Sequence, residues 1–283
     1  MKIRIRKYKL PYTDDDISWV QREIATLMRS GWLTQGPYLQ QFERDFCQVS
    51  GTRFCLGVSS GTSALEMLYW VYEAQRGSVV VPTNTFYSSV SAALNIGSKV
   101  ILADIDPQTM SPTAAEIERC IRKDTKVVCL VHVAGIVTPE FDCIRDICIE
   151  QGVKLVEDAS HAHGATHRGK RAGSLADGAA FSMHHSKVFT SGEGGIVAFD
   201  DESILDRLKK RSFLGLDKER NNWEIHLVGQ NYKLPETSCI IGLVQLRKWR
   251  ELIEERRHTA DIYNYVFDQS PHIQPILPPH GSD

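Results

Sequence analysis

The sequence lacks the features that mark membrane, secreted and nucleic-acid-binding proteins. No apolar run reaches the roughly 18 residues that span a bilayer. The first residues, Met1 to Arg6, alternate charged and apolar side chains, which is unlike a secretory signal. Lysine and arginine number 33 against 35 acidic residues, so the net charge of -2 leaves no basic excess for a nucleic acid or an anionic membrane surface. We therefore expect no membrane and no nucleic-acid partner.

Cysteine and histidine are present, but their spacing favours neither disulfides nor zinc. The seven cysteines are odd in number and include no Cys-x-x-Cys pair, and Cys55 and Cys129 lie inside apolar runs. This pattern favours a reducing compartment, so we predict a cytoplasmic protein. The histidines in the middle of the chain fit no standard zinc pattern, so no metal site is expected. These are His161, His163, His167, His184 and His185.

Short apolar runs alternate with amphipathic stretches through the middle of the chain. Each run is rich in β-branched residues and apolar nearly throughout, which indicates a strand buried on both faces. The predicted strands are Phe54-Val58, Val79-Val81, Val100-Ala103, Val127-Val131, Val153-Val156, Ala179-Met183 and Ile196-Phe199. The helical patterns include Thr62-Tyr72, Ser88-Leu94, Thr113-Arg122 and Asp142-Gln151. This alternation predicts an α/β fold with a mostly parallel seven-stranded sheet between helices.

The last part of the sequence has a different pattern. One long helix is predicted from about Pro235 through Ile253, followed by a proline-rich stretch over 274–279 and no further strand. We predict a large domain over residues 1-234, with N-terminal helices within 13-48. Residues 235-283 are expected to form a linking helix and the start of an incomplete small C-terminal domain.

Two charged residues follow predicted strands at positions suited to chemistry. Lys187 lies between a strand and a glycine-rich bend, where a lysine can lose water and form a Schiff base with an aldehyde. A lysine on a surface loop is an equal alternative. Asp158 follows an apolar strand at the sheet edge where open α/β folds bind ligands. A buried carboxylate there needs a cation such as a protonated pyridine nitrogen, although Asp158 could equally be a helix N-cap.

Two further strand ends offer an anion site and an aromatic ring. Ser59-Ser60-Gly61-Thr62 opens a helix whose free N–H groups suit an anion, although taken alone it is more often an ordinary turn. Phe86 follows another strand, where it could stack on a flat heterocycle or pack in the core. Together the four ends match the phosphate, ring face, ring nitrogen and aldehyde of pyridoxal 5'-phosphate (PLP).

With these motifs the chain resembles the DegT/DnrJ/EryC1/StrS family of PLP-dependent sugar aminotransferases. The similar segments cover most of the chain and extend from Gly31-Pro37 through Glu157-Gly164 and Phe181-Gly195 to Gly229-Lys233. The resemblance implies the PLP-dependent transferase fold type I, which is aspartate aminotransferase-like. The amino-acid sequence of the central segments is most similar to that of members that act on cyclitols and of aminohydroxybenzoate synthases.

The resemblance implies a cofactor-binding role for each matched residue. Lys187 would form the internal aldimine and shuttle protons, and Asp158 would keep the pyridine nitrogen protonated. Phe86 would stack on the ring, and His161 would lie near the ring hydroxyl, where the family often has glutamine. The phosphate would be held by Gly61, Thr62 and Ser182.

Other matched residues imply a shared active site. Asn231 would reach the phosphate of the neighbouring subunit's cofactor, so a homodimer with shared active sites is expected. Thr34 and Gln35 would lie on the substrate side. Lys233 departs from the family pattern, because it replaces the usual arginine and loses the bidentate fork that suits a carboxylate.

The implied reaction moves an amino group from glutamate or glutamine to a nucleotide-linked keto-sugar or a keto-cyclitol. Two alternatives remain open. The chain could be a regulatory paralogue or a fragment that binds PLP without turnover, since a fold does not fix a function. It could also be a PLP-dependent sugar dehydratase, although those relatives tend to have histidine in place of Lys187.

Overall fold

The computed structural model describes residues 12–217 and 224–283, and its centre is a seven-stranded sheet. The strands are β1 Phe54–Val58, β2 Ser78–Pro82, β3 Lys99–Ala103, β4 Thr125–Val131, β5 Lys154–Asp158, β6 Thr166–His167, β7 Lys170–Arg171, β8 Gly178–Ser182 and β9 Gly195–Phe199. The sheet has the order β1-β9-β8-β5-β4-β2-β3, and β6 pairs with β7 as a separate hairpin. All seven predicted strands are found, and β9 is antiparallel to both of its neighbours while the other pairs are parallel. The predicted fold class is confirmed.

Helices cover both faces of the sheet. They are α1 Asp14–Ser30, α2 Pro37–Ser50, α3 Gly61–Val71, α4 Ser88–Asn95, α5 Ala114–Cys120, α6 Phe141–Glu150, α7 Leu205–Ser212, α8 Glu236–Arg247 and α9 Trp249–Phe267. Successive strand residues point to opposite faces, so Val79 and Val81 pack with α3, α4 and α7, while Val80 packs with α2, α5, α6 and α8. Because both faces are covered, the strands are apolar nearly throughout, as the sequence shows.

The prediction of one long helix after Pro235 is wrong, because two helices meet at Lys248. The backbone of Lys248 has φ -123° and ψ 19°, which is not helical. Its ammonium forms an ion pair with Asp16 of α1. Beyond this break Trp249 and Leu252 are buried in the core that α8 also helps to form. No glycine or proline marks the break, so the tertiary contacts fix its position.

The described part of the chain contains no helix that is both long and apolar enough to cross a membrane. Helix α8 packs against α1 and α2. The division of the chain at residue 235 stays a prediction.

Candidate active site

Four strand ends meet at one edge of the sheet and enclose a cavity. In the order of the sheet, β1, β8, β5 and β2 are mutually parallel, so their carboxyl ends lie together. We call the space between them the Asp158 cavity, and its volume is about 600 Å³, within the usual range for small-molecule sites. It is lined by Ser60, Gly61, Thr62, Leu65, Asn84, Thr85, Phe86, Ser88, Val131, Val133, Asp158, Ser160, His161, Ser182, His184, Ser186, Lys187 and Glu193.

The Asp158 carboxylate is buried and held by one hydroxyl and one backbone amide. The hydroxyl of Ser89 donates to its Oδ2 at 2.7 Å, and the Ser160 backbone N–H donates to its Oδ1 at 3.2 Å. The Thr85 hydroxyl lies 2.7 Å from the Ser89 hydroxyl and extends this chain of polar groups. No helix begins at Asp158, so the N-cap interpretation is wrong. These hydrogen bonds fix the carboxylate at the cavity wall, where its charge can face a cation.

The start of α3 forms a concave polar wall of the cavity. The Ser60 hydroxyl accepts a hydrogen bond from the Ser63 N–H, which caps the helix, and the Thr62 hydroxyl donates to Ser88 at 2.9 Å. Gly61 faces Ser182 so closely that an added Cβ would lie 3.0 Å from the Ser182 Cβ. Backbone N–H groups at a helix start attract anions, so this wall suits a phosphate.

Lys187 follows β8 in a tight turn, in which its N–H donates to the carbonyl of His184. Its ammonium loses part of its water in the cavity, and this desolvation lowers the pKa of Lys187, while the charge of Asp158 acts in the opposite direction. A lower pKa increases the fraction of neutral amine, which is the nucleophilic form. Lys187 therefore lines the cavity and is not simply a lysine on a surface loop.

His161 also lines the Asp158 cavity. Desolvation and the nearby charge of Lys187 lower the pKa of His161, so the ring is neutral at pH 7. Its Nδ1 lies 3.4 Å from the N–H of Ala134, which favours Nδ1 as the acceptor and leaves the proton on Nε2.

Phe86 lies at the rim of the cavity. Its side chain is 75% exposed, which excludes the alternative that it packs in the core. An exposed aromatic ring at a cavity mouth has its face available for a planar ligand. The position fits the stacking role that the resemblance implies.

Three predicted site residues lie outside the Asp158 cavity. Thr34 pairs with Pro235 in an isolated β-bridge, and Gln35 lines a different cavity. Asn231 is exposed, and its side-chain oxygen accepts a hydrogen bond from Lys233. The structure thus brings together seven of the ten predicted residues: Gly61, Thr62, Phe86, Asp158, His161, Ser182 and Lys187.

Sequence reasoning missed two supporting residues, Ser89 and Glu236. Ser89, which is buried, holds Asp158, and no local pattern signals this contact because the two residues are 69 positions apart. Glu236 is also buried, and its carboxylate accepts hydrogen bonds from the backbone N–H groups of Gly36, Tyr38 and Leu39 at the start of α2. No local pattern indicates this contact, because it joins residues about 200 positions apart.

One group of side chains in the described ranges has the composition of a metal site. The ligand atoms of His184, His185 and Glu193 all lie within 4.8 Å of one another at the edge of the Asp158 cavity. Two of these three side chains are exposed, and exposed groups of this kind are common without a metal. The prediction of no metal site stays a prediction.

Comparisons with known proteins give the family. GDP-perosamine synthase of Vibrio cholerae is 32% identical over 236 residues, which cover 83% of this chain and 64% of that protein's length. The structure of 3-amino-5-hydroxybenzoic acid (AHBA) synthase superposes with a TM-score of 0.89 and 29% identity, covering 96% of this chain and 71% of that chain. The PLP form of Spr1654 from Streptococcus pneumoniae gives a TM-score of 0.84 and 27% identity, covering 93% and 72%. The model of the DegT/DnrJ/EryC1/StrS aminotransferase family matches residues 15–283, and the chain belongs to this family.

Proposed function

We propose that the protein is a PLP-dependent aminotransferase that moves an amino group from glutamate or glutamine to a keto-sugar or keto-cyclitol. The observation that supports this most directly is that Lys187 and Asp158 line one cavity together with the start of α3. These three elements supply an amine, a carboxylate and an anion site, which are the groups that PLP needs.

The residues present fit the cofactor. A Cβ at Gly61 would make a tight contact with Ser182, so with glycine the backbone itself forms the surface that would meet the phosphate. Asp158 keeps a fixed orientation through Ser89 and Ser160, as a partner of the ring nitrogen requires. The relative that was solved in a PLP form supports the same cofactor.

Each residue then has a definite task. Bound PLP supplies an aldehyde that carries the amino group and a ring that accepts electrons. Asp158 would hold the proton on the ring nitrogen by its negative charge. Lys187 would hold the aldehyde carbon and, once displaced from it, would take and return a proton at the substrate carbon through Nζ. The neutral His161 would donate from Nε2 toward the ring hydroxyl.

The names of the relatives support the class of acceptor. GDP-perosamine synthase is named for a GDP-linked product, and AHBA synthase for a carbocyclic one. Both an activated keto-sugar and a keto-cyclitol are therefore included in the proposal. The chain spans 64% of the length of the Vibrio cholerae relative, so the proposed activity rests on the residues of the cavity.

We also propose that two copies share their active sites in the cytoplasm. Asn231, which is exposed, and Lys233, which is half-buried, lie on one segment outside the Asp158 cavity of their own chain. This segment is fixed by Tyr232, whose hydroxyl donates to the buried Glu66 of α3. The Lys233 contact occupies the amide oxygen of Asn231 and leaves its NH2 group to donate to a phosphate in a second copy. Thr34 and Gln35 remain proposed substrate residues.

A trapping experiment tests the cofactor and its lysine. The purified protein should be mixed with PLP, reduced with borohydride, digested and analysed by mass spectrometry. The cofactor mass should appear on the peptide that contains Lys187, and the visible band of the Schiff base should be absent in Lys187→Ala. Lys170→Ala, which changes an exposed lysine of β7, should behave like the unchanged protein. Equal labelling of many lysines would contradict the assignment.

The donor half of the reaction is tested separately. Protein loaded with PLP should convert the cofactor to pyridoxamine phosphate when L-glutamate or L-glutamine is added, as measured by chromatography of the released cofactor. The product should then be consumed by scyllo-inosose or by a GDP-linked 4-keto-hexose. Labelling at Lys187 without any conversion would support the alternative of a PLP-binding protein without turnover.

The sharing of sites is tested by mixing two inactive variants. In a dimer of Lys187→Ala with Asn231→Ala, one site carries both changes and the other carries neither. Random mixing should therefore restore roughly a quarter of the unchanged activity. Failure of the mixture to recover, with dimers shown to exchange, would refute the shared site.

A further inference from the structure

A second cavity lies beside the Asp158 cavity and shares a wall with it. Its volume is about 480 Å³, and Ser160, His161, Ser186 and Lys187 line both spaces. The opposite wall is formed by α9, through Ile253, Arg256 and neighbouring residues. We call this space the Arg256 cavity. A ligand in it would meet Lys187 at the wall that the two cavities share.

The guanidinium of Arg256 is available to an anion. Its hydrogen bond to the carbonyl of Val188 is long, at 3.4 Å, and so is weak. The adjacent Arg257 differs, because its guanidinium pairs with the carboxylates of Asp283 and Glu254. Within the residues that the structure describes, no carboxylate pairs with Arg256. A guanidinium that makes no ion pair and only one weak hydrogen bond is suited to bind a carboxylate through two parallel hydrogen bonds.

His163 provides a second, independent indication of a polar ligand. Its ring is 2% exposed, lines the Arg256 cavity and packs against Phe181 and Phe189. Neither ring nitrogen has a hydrogen-bond partner of good geometry in the described part of the chain. Burial is the main cause that lowers the pKa of His163 to about 3, and a weak backbone contact with Ser182 opposes it only in part. The neutral ring thus offers a buried donor and acceptor that a bound polar group would satisfy.

We propose that the Arg256 cavity binds the amino donor and its 2-oxo acid product, with a carboxylate of the ligand paired to Arg256. The apolar side chains of Ile136, Val188 and Ile253 line the same space and suit the methylene groups of such a ligand. This inference rests on the proposed aminotransferase function, because it identifies the place from which the donor meets Lys187. The site binds small carboxylates, and this binding does not require the keto acceptor.

The experiment uses a carboxylate that does not react. Succinate is titrated into the PLP-loaded protein by calorimetry at fixed ionic strength, with neutral succinamide as the matched ligand. Arg256→Gln should weaken succinate binding by roughly tenfold or more, since it removes a charge-assisted bidentate contact. Arg256→Lys should lie between the two. Arg250→Gln on the same helix should bind like the unchanged protein, since Arg250 stacks on Trp249 and does not line the cavity.

The outcomes separate the site from the reaction. Succinate binding that is equal in the unchanged protein and in Arg256→Gln, absent from the unchanged protein, or matched by succinamide would overturn the site, whatever the amino transfer assay shows. Succinate binding that depends on Arg256 in a protein that forms no pyridoxamine phosphate would keep the carboxylate site and refute the proposed reaction. A KM for L-glutamate that rises in Arg256→Gln, with unchanged labelling of Lys187, would support both.

Discussion

Replacing the buried Glu236 by glutamine should destabilise the whole fold, although the change is only one atom in size. Its Oε1 accepts hydrogen bonds from Gly36 at 2.9 Å and Leu39 at 3.2 Å, and its Oε2 accepts one from Tyr38 at 2.9 Å. All three donors are backbone N–H groups around the start of α2, which have no partners inside the helix. The carboxylate therefore ties α8 to α2 and holds the segment that contains Thr34 and Gln35.

The magnitude follows from the donors that glutamine leaves unmatched. An amide has one acceptor oxygen, so its NH2 group must face at least one of the three N–H donors. One N–H then loses its partner, and the remaining bonds lose their charge-assisted strength, at a cost of about 1–3 kcal/mol for each unsatisfied group. An amide costs less to bury than a carboxylate, which offsets part of the loss. We expect a net loss of about 2–4 kcal/mol in the free energy of unfolding.

Urea denaturation followed by circular dichroism measures this loss. With a slope of about 3 kcal/mol/M, the midpoint of Glu236→Gln should fall by about 1 M. Glu251→Gln, which changes an exposed residue in the first turn of α9, is the matched control and should leave the midpoint unchanged. A midpoint for Glu236→Gln that equals that of the control would refute the reasoning. The charge of the Glu236 carboxylate would then add nothing to the free energy of unfolding through the three N–H groups.

Three further changes test other parts of the site. Ser89→Ala removes the hydroxyl that donates to Asp158, and PLP affinity, measured by fluorescence titration, should fall roughly tenfold; an unchanged affinity would show that this bond does not orient the carboxylate. Stability should fall as pH drops from about 6.5 toward about 3, because the unfolded chain protonates His163 in this window and the folded chain does not. Urea midpoints across this range should depend less on pH in His163→Leu, and equal slopes would contradict the assignment. Gly195→Ala places a Cβ 2.2 Å from the backbone oxygen of Ser60, so it should abolish PLP binding by displacing the phosphate wall; normal absorption of bound PLP would refute this.

The sheet could be predicted because its information is local. Each strand is short and apolar on both faces, and the helices between strands show the period of about 3.6 residues. The break at Lys248 could not be predicted, because its ion pair with Asp16 joins residues far apart in the sequence. The β6–β7 hairpin was missed for a different reason, since two-residue strands are too short for a pattern.

The part of the cavity that could be predicted consists of reactive side chains at the ends of strands. Asp158 ends β5, and Lys187 follows β8, and these two strands are neighbours in the sheet, with Asp158 opposite Ala180. Position in a parallel sheet thus places the two side chains on one edge without any knowledge of their contacts. Thr34, Gln35 and Asn231 do not lie at strand ends, and only the family resemblance indicated them; their roles stay predictions.

The supporting residues show why the sequence alone leaves the site incomplete. Ser89 and Glu236 carry no unusual chemistry, and each acts only through a partner that the fold brings to it, Asp158 in one case and the start of α2 in the other. The same logic separates Arg256 from Arg257. The two are adjacent and chemically identical, yet only Arg257 meets carboxylates in the described structure. A carboxylate ligand would therefore be selected by Arg256, and this distinction arises from the packing around α9, where no local pattern could reveal it.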